Sequence, residues 1–181
     1  MQWGEFTAEL LAVVAPRVLH LVDPWWRLNP EAEWDWEEPE RADARRGHDT
    51  VAERFAGPIA EGIVEIHVGF AQEILPSFPD GHFDWLYLDT THSYEDTREE
   101  LAVMVPKLKP GGILLGHDWQ EDPQHPFHGV CRAVTELVAE GGFRLVALDD
   151  HSQWAIERRA MAPAGGAQSP EAFGLRAPSN R

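Results

Sequence analysis

Short apolar segments alternate with helical segments along this chain of 181 residues, and this alternation is its strongest constraint on the fold. The predicted strands cover residues 18–22, 63–68, 83–88, 113–116, 143–148 and 153–156. Strands that alternate with helices form a parallel sheet with helices on both faces. The last two strands are close enough in sequence for a hairpin, which would make the final strand antiparallel. We therefore expect one α/β domain over residues 1–159.

Helical spacing of apolar residues and turn signals place the other elements. The predicted helices cover residues 7–14, 49–57, 70–76, 93–108 and 129–140, with Ser93 and Asp96 as a capping box. Residues 25–47 carry four tryptophans, Trp25, Trp26, Trp34 and Trp36, and no visible period, so we expect a loop or lid. The tail 160–181 is rich in Pro, Gly, Ala and Ser, a composition typical of disorder.

Composition excludes some classes of function. A formal net charge of −16 argues against nucleic acid, because phosphate contacts need clustered Lys and Arg. The apolar runs are too short to span a bilayer, and the N-terminus lacks the pattern of a signal peptide. A single cysteine, Cys131, permits no internal disulfide and suits a reducing cytoplasm. We expect a cytoplasmic protein without a membrane partner; the oligomeric state is open, a homo-oligomer included.

Acidic and imidazole side chains follow two of the predicted strands. Asp89 and His92 follow strand 83–88, and His117 and Asp118 follow strand 113–116. In open parallel sheets, ligands bind beyond the carboxyl ends of the strands. These four side chains are therefore expected to meet at one site, although they are distant in sequence.

Four motifs in order resemble one protein family. They are LVDPW at 21–25, FDWLYLDTTHSYE at 83–95, the KPGG turn at 109–112, and GGILLGHD at 111–118. This order resembles class I S-adenosylmethionine (SAM)-dependent methyltransferases, and most of all the subgroup of macrocin-type sugar O-methyltransferases and cephalosporin hydroxylase-like proteins. The resemblance covers roughly residues 3–157 and implies a Rossmann-like sandwich.

One departure from the family concerns its first strand and glycine-rich turn, of the form EIGxxxGxF. Only Gly4-Glu5-Phe6 matches here, so the usually central first strand is expected to be missing. Either the true start lies upstream, or the chain is a shortened version. An open central slot leaves backbone groups unpaired. We expect either that a partner chain pairs with these backbone groups, or that the protein has reduced stability and binds SAM weakly.

The resemblance implies a set of cofactor contacts. The implied SAM-binding residues are Gly4, Phe6, Asp23, Gly69, Phe70 and Asp89. Asp23 would accept hydrogen bonds from the ribose, since a carboxylate offers two acceptors, and Gly69-Phe70 would lie against the adenine. The alternatives are a turn aspartate before Pro24 and a strand end followed by a core phenylalanine.

The resemblance also implies a cation site and a base. Asp89, His117 and Asp118 would hold Mg²⁺ or Mn²⁺, although an imidazole at His117 suits Mn²⁺, Fe²⁺ or Zn²⁺ better than Mg²⁺. His92 would deprotonate the acceptor hydroxyl, since its reference pKa of ~6.5 suits that role. The alternatives are strand-end residues that cap the next turn and a histidine that caps the next helix. His20 and His67 lie within strands and are expected to be structural.

The leading hypothesis is thus a SAM-dependent methyltransferase that methylates a small hydroxylated molecule with help from a divalent metal. The alternative is a catalytically impaired or non-catalytic binding or assembly subunit on the same scaffold. A metal-dependent hydrolase is less favoured, because the His117-Asp118 pair follows an apolar strand rather than lying on a helix. A nicotinamide-dependent dehydrogenase is also disfavoured, because no G-x-G-x-x-G follows a strand.

Overall fold

The computed structural model describes residues 3–27 and 38–159, which form an α/β fold. The strands are β1 (Leu19–Asp23), β2 (Val64–Val68), β3 (Phe83–Leu88), β4 (Leu108–Gly116), β5 (Phe143–Leu148) and β6 (Trp154–Arg158). The α-helices are α1 (Glu5–Val14), α2 (Glu38–Arg54), α3 (Ala56–Ala60), α4 (Ala71–Ile74), α5 (Tyr94–Lys107) and α6 (His128–Ala139). A 3-10 turn, Leu75–Ser77, follows α4. No helix in the described ranges is long and apolar enough to cross a membrane.

The strands form two sheets. Strands β1 and β2 pair in parallel, whereas the second sheet has the order β3-β4-β6-β5. Strand β4 is parallel to β3 and antiparallel to β6, which forms the expected terminal hairpin with β5. The α/β class, the mostly parallel first part and the antiparallel end are therefore confirmed.

A cleft separates the two sheets. In the described part of the chain, β1 pairs only with β2, and β3 pairs only with β4. Both β1 and β3 are therefore edge strands. A cavity of about 1770 Å³ lies between them and is lined by residues of both β1 and β3. The described residues thus contain no strand between β1 and β3, as expected from the missing first strand.

Each sheet has its own apolar core. One core joins β3, β4, β5 and β6 to α5 and α6 through residues such as Leu114, Val134 and Ile156. The other joins β1 and β2 to α2 through residues such as Leu21 and Val51, with α1 packed at its edge. The site between the two sheets therefore rests on two cores rather than one.

Several predicted elements are wrong in their bounds. Helix α2 begins at Glu38, within the segment predicted as a loop up to residue 47. Trp25 is buried in the core of the β1–β2 sheet, so it packs there instead of forming part of a mobile lid. Trp34, Trp36 and the tail 160–181 lie outside the described residues.

The start of α5 follows the predicted capping box. Ser93 Oγ accepts a hydrogen bond from the backbone N–H of Asp96 at 3.0 Å, and the Ser93 hydroxyl donates to the Asp96 carboxylate at 2.8 Å. This cap satisfies a backbone donor of the first helical turn. It fixes the helix directly after the Asp89–His92 segment, and so fixes that segment at the rim of the sheet.

Candidate functional site

The cleft brings most of the predicted cofactor residues together. Asp23, Gly69, Phe70, Asp89 and Phe6 all line it. The first four follow or end β1, β2 and β3, whose carboxyl ends lie at one rim. The sequence-based expectation of a shared rim is thus met in position, while the roles of these residues stay predictions.

Asp23 is a half-buried carboxyl group at the end of β1. Its Oδ1 accepts a hydrogen bond from the backbone N–H of Trp25 at 2.6 Å. Burial raises the pKa of Asp23, and the Trp25 N–H acts in the opposite direction. Its Oδ2 accepts no hydrogen bond from the described part of the chain, so one oxygen remains available to a donor in the cleft.

The Gly69-Phe70 segment is covered by a side chain that sequence reasoning missed. The Arg27 guanidinium lies 5.8 Å from the centre of the Phe70 ring and forms two hydrogen bonds with the Glu73 carboxylate, of 2.6 and 3.2 Å. This pairing lowers the pKa of Glu73. A Cβ at position 69 would lie 3.0 Å from the Arg27 guanidinium and 3.0 Å from the Ile74 side chain, so Gly69 packs closely against both.

Gly4 and Phe6, the predicted cofactor residues from the partial match to the glycine-rich turn, lie in different places. Phe6 lies in the cleft, with its ring centre 4.7 Å from that of Tyr87 on β3. Gly4 is buried, and a Cβ there would meet Phe55 at 2.8 Å. Gly4 therefore packs against α2 and does not line the cleft, so the structure does not bring it together with the other predicted cofactor residues.

A cluster of acid and imidazole groups stands at the ends of β3 and β4. Nε2 of His92 lies 2.7 Å from Oδ2 of Asp118 and 3.7 Å from Oδ1 of Asp89. Three ligand atoms of these residues lie within 4.8 Å of one another, a spacing suited to one metal ion. The predicted convergence of the two strand ends therefore holds, and it places His92 among the groups that are able to bind a cation.

Backbone strain marks two of these three residues. His92 and Asp118 have φ angles of 67° and 63°, in the left-handed region that non-glycine residues rarely adopt. Strained residues of this kind cluster at functional sites. The Nε2 atom of His92 is also buried from solvent, and among the described residues it contacts the carboxylate oxygens of Asp118 and Asp89 without an aligned hydrogen bond.

His117 occupies the outer side of the cluster. Its Nδ1 lies 3.0 Å from Oδ2 of Asp118, and its side chain is 40% exposed. Burial acts to lower the pKa of His117, but the hydrogen bond to Asp118 and the charges of Asp118 and Asp89 outweigh it and raise the pKa.

Two further polar groups beside the cluster were missed from the sequence. The Thr90 hydroxyl donates to Glu100 at 2.5 Å, and burial of Glu100 raises its pKa to about 7. Burial also raises the pKa of Tyr87 to about 12, with further contributions from Asp89 and Asp118. Glu100 shares the buried side of α5 with Thr97 and Leu101, and this position on the apolar stripe was the available signal.

The comparisons with known proteins identify the family. A family model described as "Methyltransferase domain" matches residues 3–119, and the chain belongs to this family. A curated relative, the uncharacterized protein y4gI of Sinorhizobium fredii, is 36% identical over 67 residues. That match covers 37% of this chain and 7% of y4gI.

Solved structures show the same fold. The O-methyltransferase TomG from Streptomyces achromogenes, solved with SAM, has a TM-score of 0.56 at 19% identity, over 87% of this chain and 79% of TomG. The O-methyltransferase NovP has a TM-score of 0.55 at 20% identity, over 84% of this chain and 65% of NovP. A Corynebacterium glutamicum protein has a TM-score of 0.52 at 13% identity, over 82% of this chain and 63% of that one. The fold is therefore that of class I methyltransferases.

Proposed function

We propose that this protein binds SAM in the cleft and methylates a hydroxyl group of a small acceptor, with a divalent cation at the Asp89–Asp118 cluster. The observation that carries the proposal is the position of the cluster. Its Asp89 lines the cleft together with Asp23 and Gly69-Phe70, the residues to which the family resemblance assigns the cofactor, and the ligand atoms of Asp89, His92 and Asp118 lie within 4.8 Å of one another. TomG and NovP are O-methyltransferases on the same fold, which supports the reaction class.

The rim residues fit a SAM molecule. The Oδ2 of Asp23 would accept hydrogen bonds from the ribose hydroxyls, and Gly69-Phe70 would contact the adenine. Arg27 already lies against the Phe70 ring, so Arg27 and Glu73 would border the nucleobase. SAM supplies a methyl group on a positively charged sulfur, and the acidic rim suits that charge.

The cluster would hold a cation through the carboxylates of Asp89 and Asp118, and the imidazole of His117 lies beside them, with Nδ1 3.0 Å from Oδ2 of Asp118. Carboxylates suit Mg²⁺ and Mn²⁺, and an imidazole favours Mn²⁺. A bound cation lowers the pKa of a hydroxyl that it contacts. His92 would accept the acceptor's proton at Nε2, and the adjacent Asp118 carboxylate would stabilise the resulting imidazolium. Positioning of acceptor and methyl group would supply much of the rate.

Calorimetric titration with SAM, with and without Mg²⁺ or Mn²⁺, tests the proposal. We expect wild-type protein to bind SAM. The Asp23→Asn variant should weaken SAM binding about 10–100-fold, the cost of a charged hydrogen bond of ~1.5–3 kcal/mol. The Asp118→Asn variant should still bind SAM, but adding Mn²⁺ should not change its calorimetric titration. It should not transfer methyl groups to a panel of hydroxylated small molecules.

A matched control is Asp80→Asn. Asp80 is exposed, pairs with Lys107 at 2.7 Å, and precedes β3 at the opposite end of the strand from Asp89. An exposed ion pair contributes little to stability, so this variant should behave as wild type. Absence of SAM binding under every metal condition would overturn the proposal. Equal SAM affinity of Asp23→Asn and wild type would overturn the assigned cofactor contact.

A further inference from the structure

A second group of metal-binding side chains lies on the β1–β2 sheet, away from the Asp89–Asp118 cluster, although His20 also lines the cleft. His20 is on β1 and pairs in register with Glu65 on β2, and His67 follows two residues later. Alternation along a strand puts Glu65 and His67 on one face of the sheet. The opposite face carries Leu21 and Val64 and forms the apolar core.

The distances between the three ligand atoms are within a few tenths of an ångström of those around a tetrahedral zinc ion. Nδ1 of His20 lies 3.1 Å from Nε2 of His67 and 3.3 Å from Oε2 of Glu65. The His67 and Glu65 atoms are 3.7 Å apart. Bonds of ~2.0–2.2 Å at tetrahedral angles separate neighbouring ligand atoms by ~3.3–3.6 Å. A zinc ion would therefore fit over this triangle with small adjustments of the side chains.

The surroundings hold the ligands in place and leave one side open. The side chains of His20 and His67 are 14% and 25% exposed, whereas that of Glu65 is 50% exposed. The Phe78 ring packs edge-on against both imidazoles, with ring centres 4.9 and 5.7 Å away. The ring of the exposed His82 lies 6.2 Å from that of His20, on the side of the cleft.

We propose that His20, Glu65 and His67 bind Zn²⁺ through Nδ1, a carboxylate oxygen and Nε2, with the fourth position open to water. Two imidazoles and a carboxylate are typical zinc ligands. The ion would join β1 to β2, which form a two-stranded sheet, and such sheets are only marginally stable without further support. It would thereby stabilise the strands that end at Asp23 and precede Gly69, without taking part in the reaction.

Zinc binding to chelator-treated full-length protein, measured by competition with a fluorescent zinc indicator, tests the proposal. The variants Glu65→Gln and His67→Asn each remove one ligand. They should weaken binding by more than the ~10–100-fold that loss of an outer-shell partner costs. The control Glu61→Gln changes an exposed glutamate at the end of α3 and should bind zinc as wild type does.

A double variant, Asp89→Asn with Asp118→Asn, separates this site from the cluster at the active-site rim. It should retain the zinc affinity that Glu65→Gln loses. Co²⁺ binding gives a second readout, because the visible absorption of tetrahedral Co²⁺ should disappear in His67→Asn and persist in the double variant. Equal zinc affinity of Glu65→Gln and wild type, loss of binding in the double variant, or absence of binding in wild type would each overturn the proposal. Circular dichroism confirms that each variant is folded.

Discussion

Glu100 is the residue whose ionisation is most changed by the fold beside the candidate site. It is buried on α5, and its carboxyl group accepts a hydrogen bond from Thr90, next to Asp89. Burial raises the pKa of Glu100 from 4.5 to about 7. The folded protein therefore retains the proton at pH values where the unfolded chain has lost it.

Glu100→Gln should remove a pH dependence of stability. Between about pH 4.5 and 7 the unfolded state loses the Glu100 proton first, so the free energy of unfolding of wild type falls as pH rises. The shift corresponds to about 3 kcal/mol over that window. Urea unfolding at several pH values should show a smaller decrease for Glu100→Gln.

The neighbouring Glu99 provides the control. Glu99→Gln also replaces a carboxyl group by an amide, but the Glu99 side chain is exposed, whereas that of Glu100 is buried. Its pH profile should follow that of wild type. If Glu100→Gln also follows the wild-type profile, Glu100 is ionised in the folded state at neutral pH.

Individual residues were predictable where a strand end fixed their position. Asp89 and Asp118 follow apolar strands, and parallel pairing of β3 and β4 brings them together regardless of the loops. Arg27 was missed because its partner, Glu73, is set by a tertiary contact, and Glu100 was missed although its position on the apolar stripe of α5 indicates burial. His20 and His67 were interpreted as structural, since neither sequence segment shows that the two imidazoles meet.

At the scale of elements, Gly116 at the end of β4 is a critical packing position. A Cβ on Gly116 would lie 2.4 Å from the Trp154 ring on β6 and 2.7 Å from the backbone oxygen of Leu88 on β3. Trp154 is fully buried, and its indole N–H donates to the backbone oxygen of His117 at 3.0 Å. The absence of a side chain at Gly116 therefore allows β4 to carry His117-Asp118 to the rim.

Gly116→Ala should destabilise the fold by about 1–3 kcal/mol, the usual cost of overpacking a core. The matched control is Gly142→Ala, because a Cβ on Gly142 would meet no atom of residues 3–27 and 38–159 within 4 Å. Thermal unfolding followed by circular dichroism measures both variants. Equal melting temperatures would contradict the packing role of Gly116.

Elements with a clear apolar pattern were predicted closely, and polar elements were not. Strands β3 and β5 match their predicted bounds. The first half of α2 was missed because its sequence, EPERADARRGHD, has no apolar stripe to indicate a helix. Its glutamate, alanine and arginine residues are nevertheless good helix formers, and this propensity was the signal available.

At the scale of the whole molecule, the separation of the two sheets leaves backbone groups of β1 and β3 facing the cleft. Leu19 donates its backbone N–H to Ile63, and the backbone oxygen of Asp23 accepts from Gly69. Backbone groups alternate in direction along a strand, so those of His20 and Val22 on β1 point to the cleft. The family motifs predicted this gap, because they match the sequence from the second strand onward.

Amide hydrogen exchange measures how open this gap is in solution. On β3, the backbone oxygen of Leu88 accepts from His117, directly after β4, so the amides of Trp85 and Tyr87 point to the cleft. We expect the amides of His20, Val22, Trp85 and Tyr87 to exchange faster than those of Leu19, Leu21, Leu86 and Leu88. Unpaired edges lose protection because no partner strand covers their amide groups. Equal protection of the two sets would mean that a strand fills the cleft in solution and joins the two sheets into one.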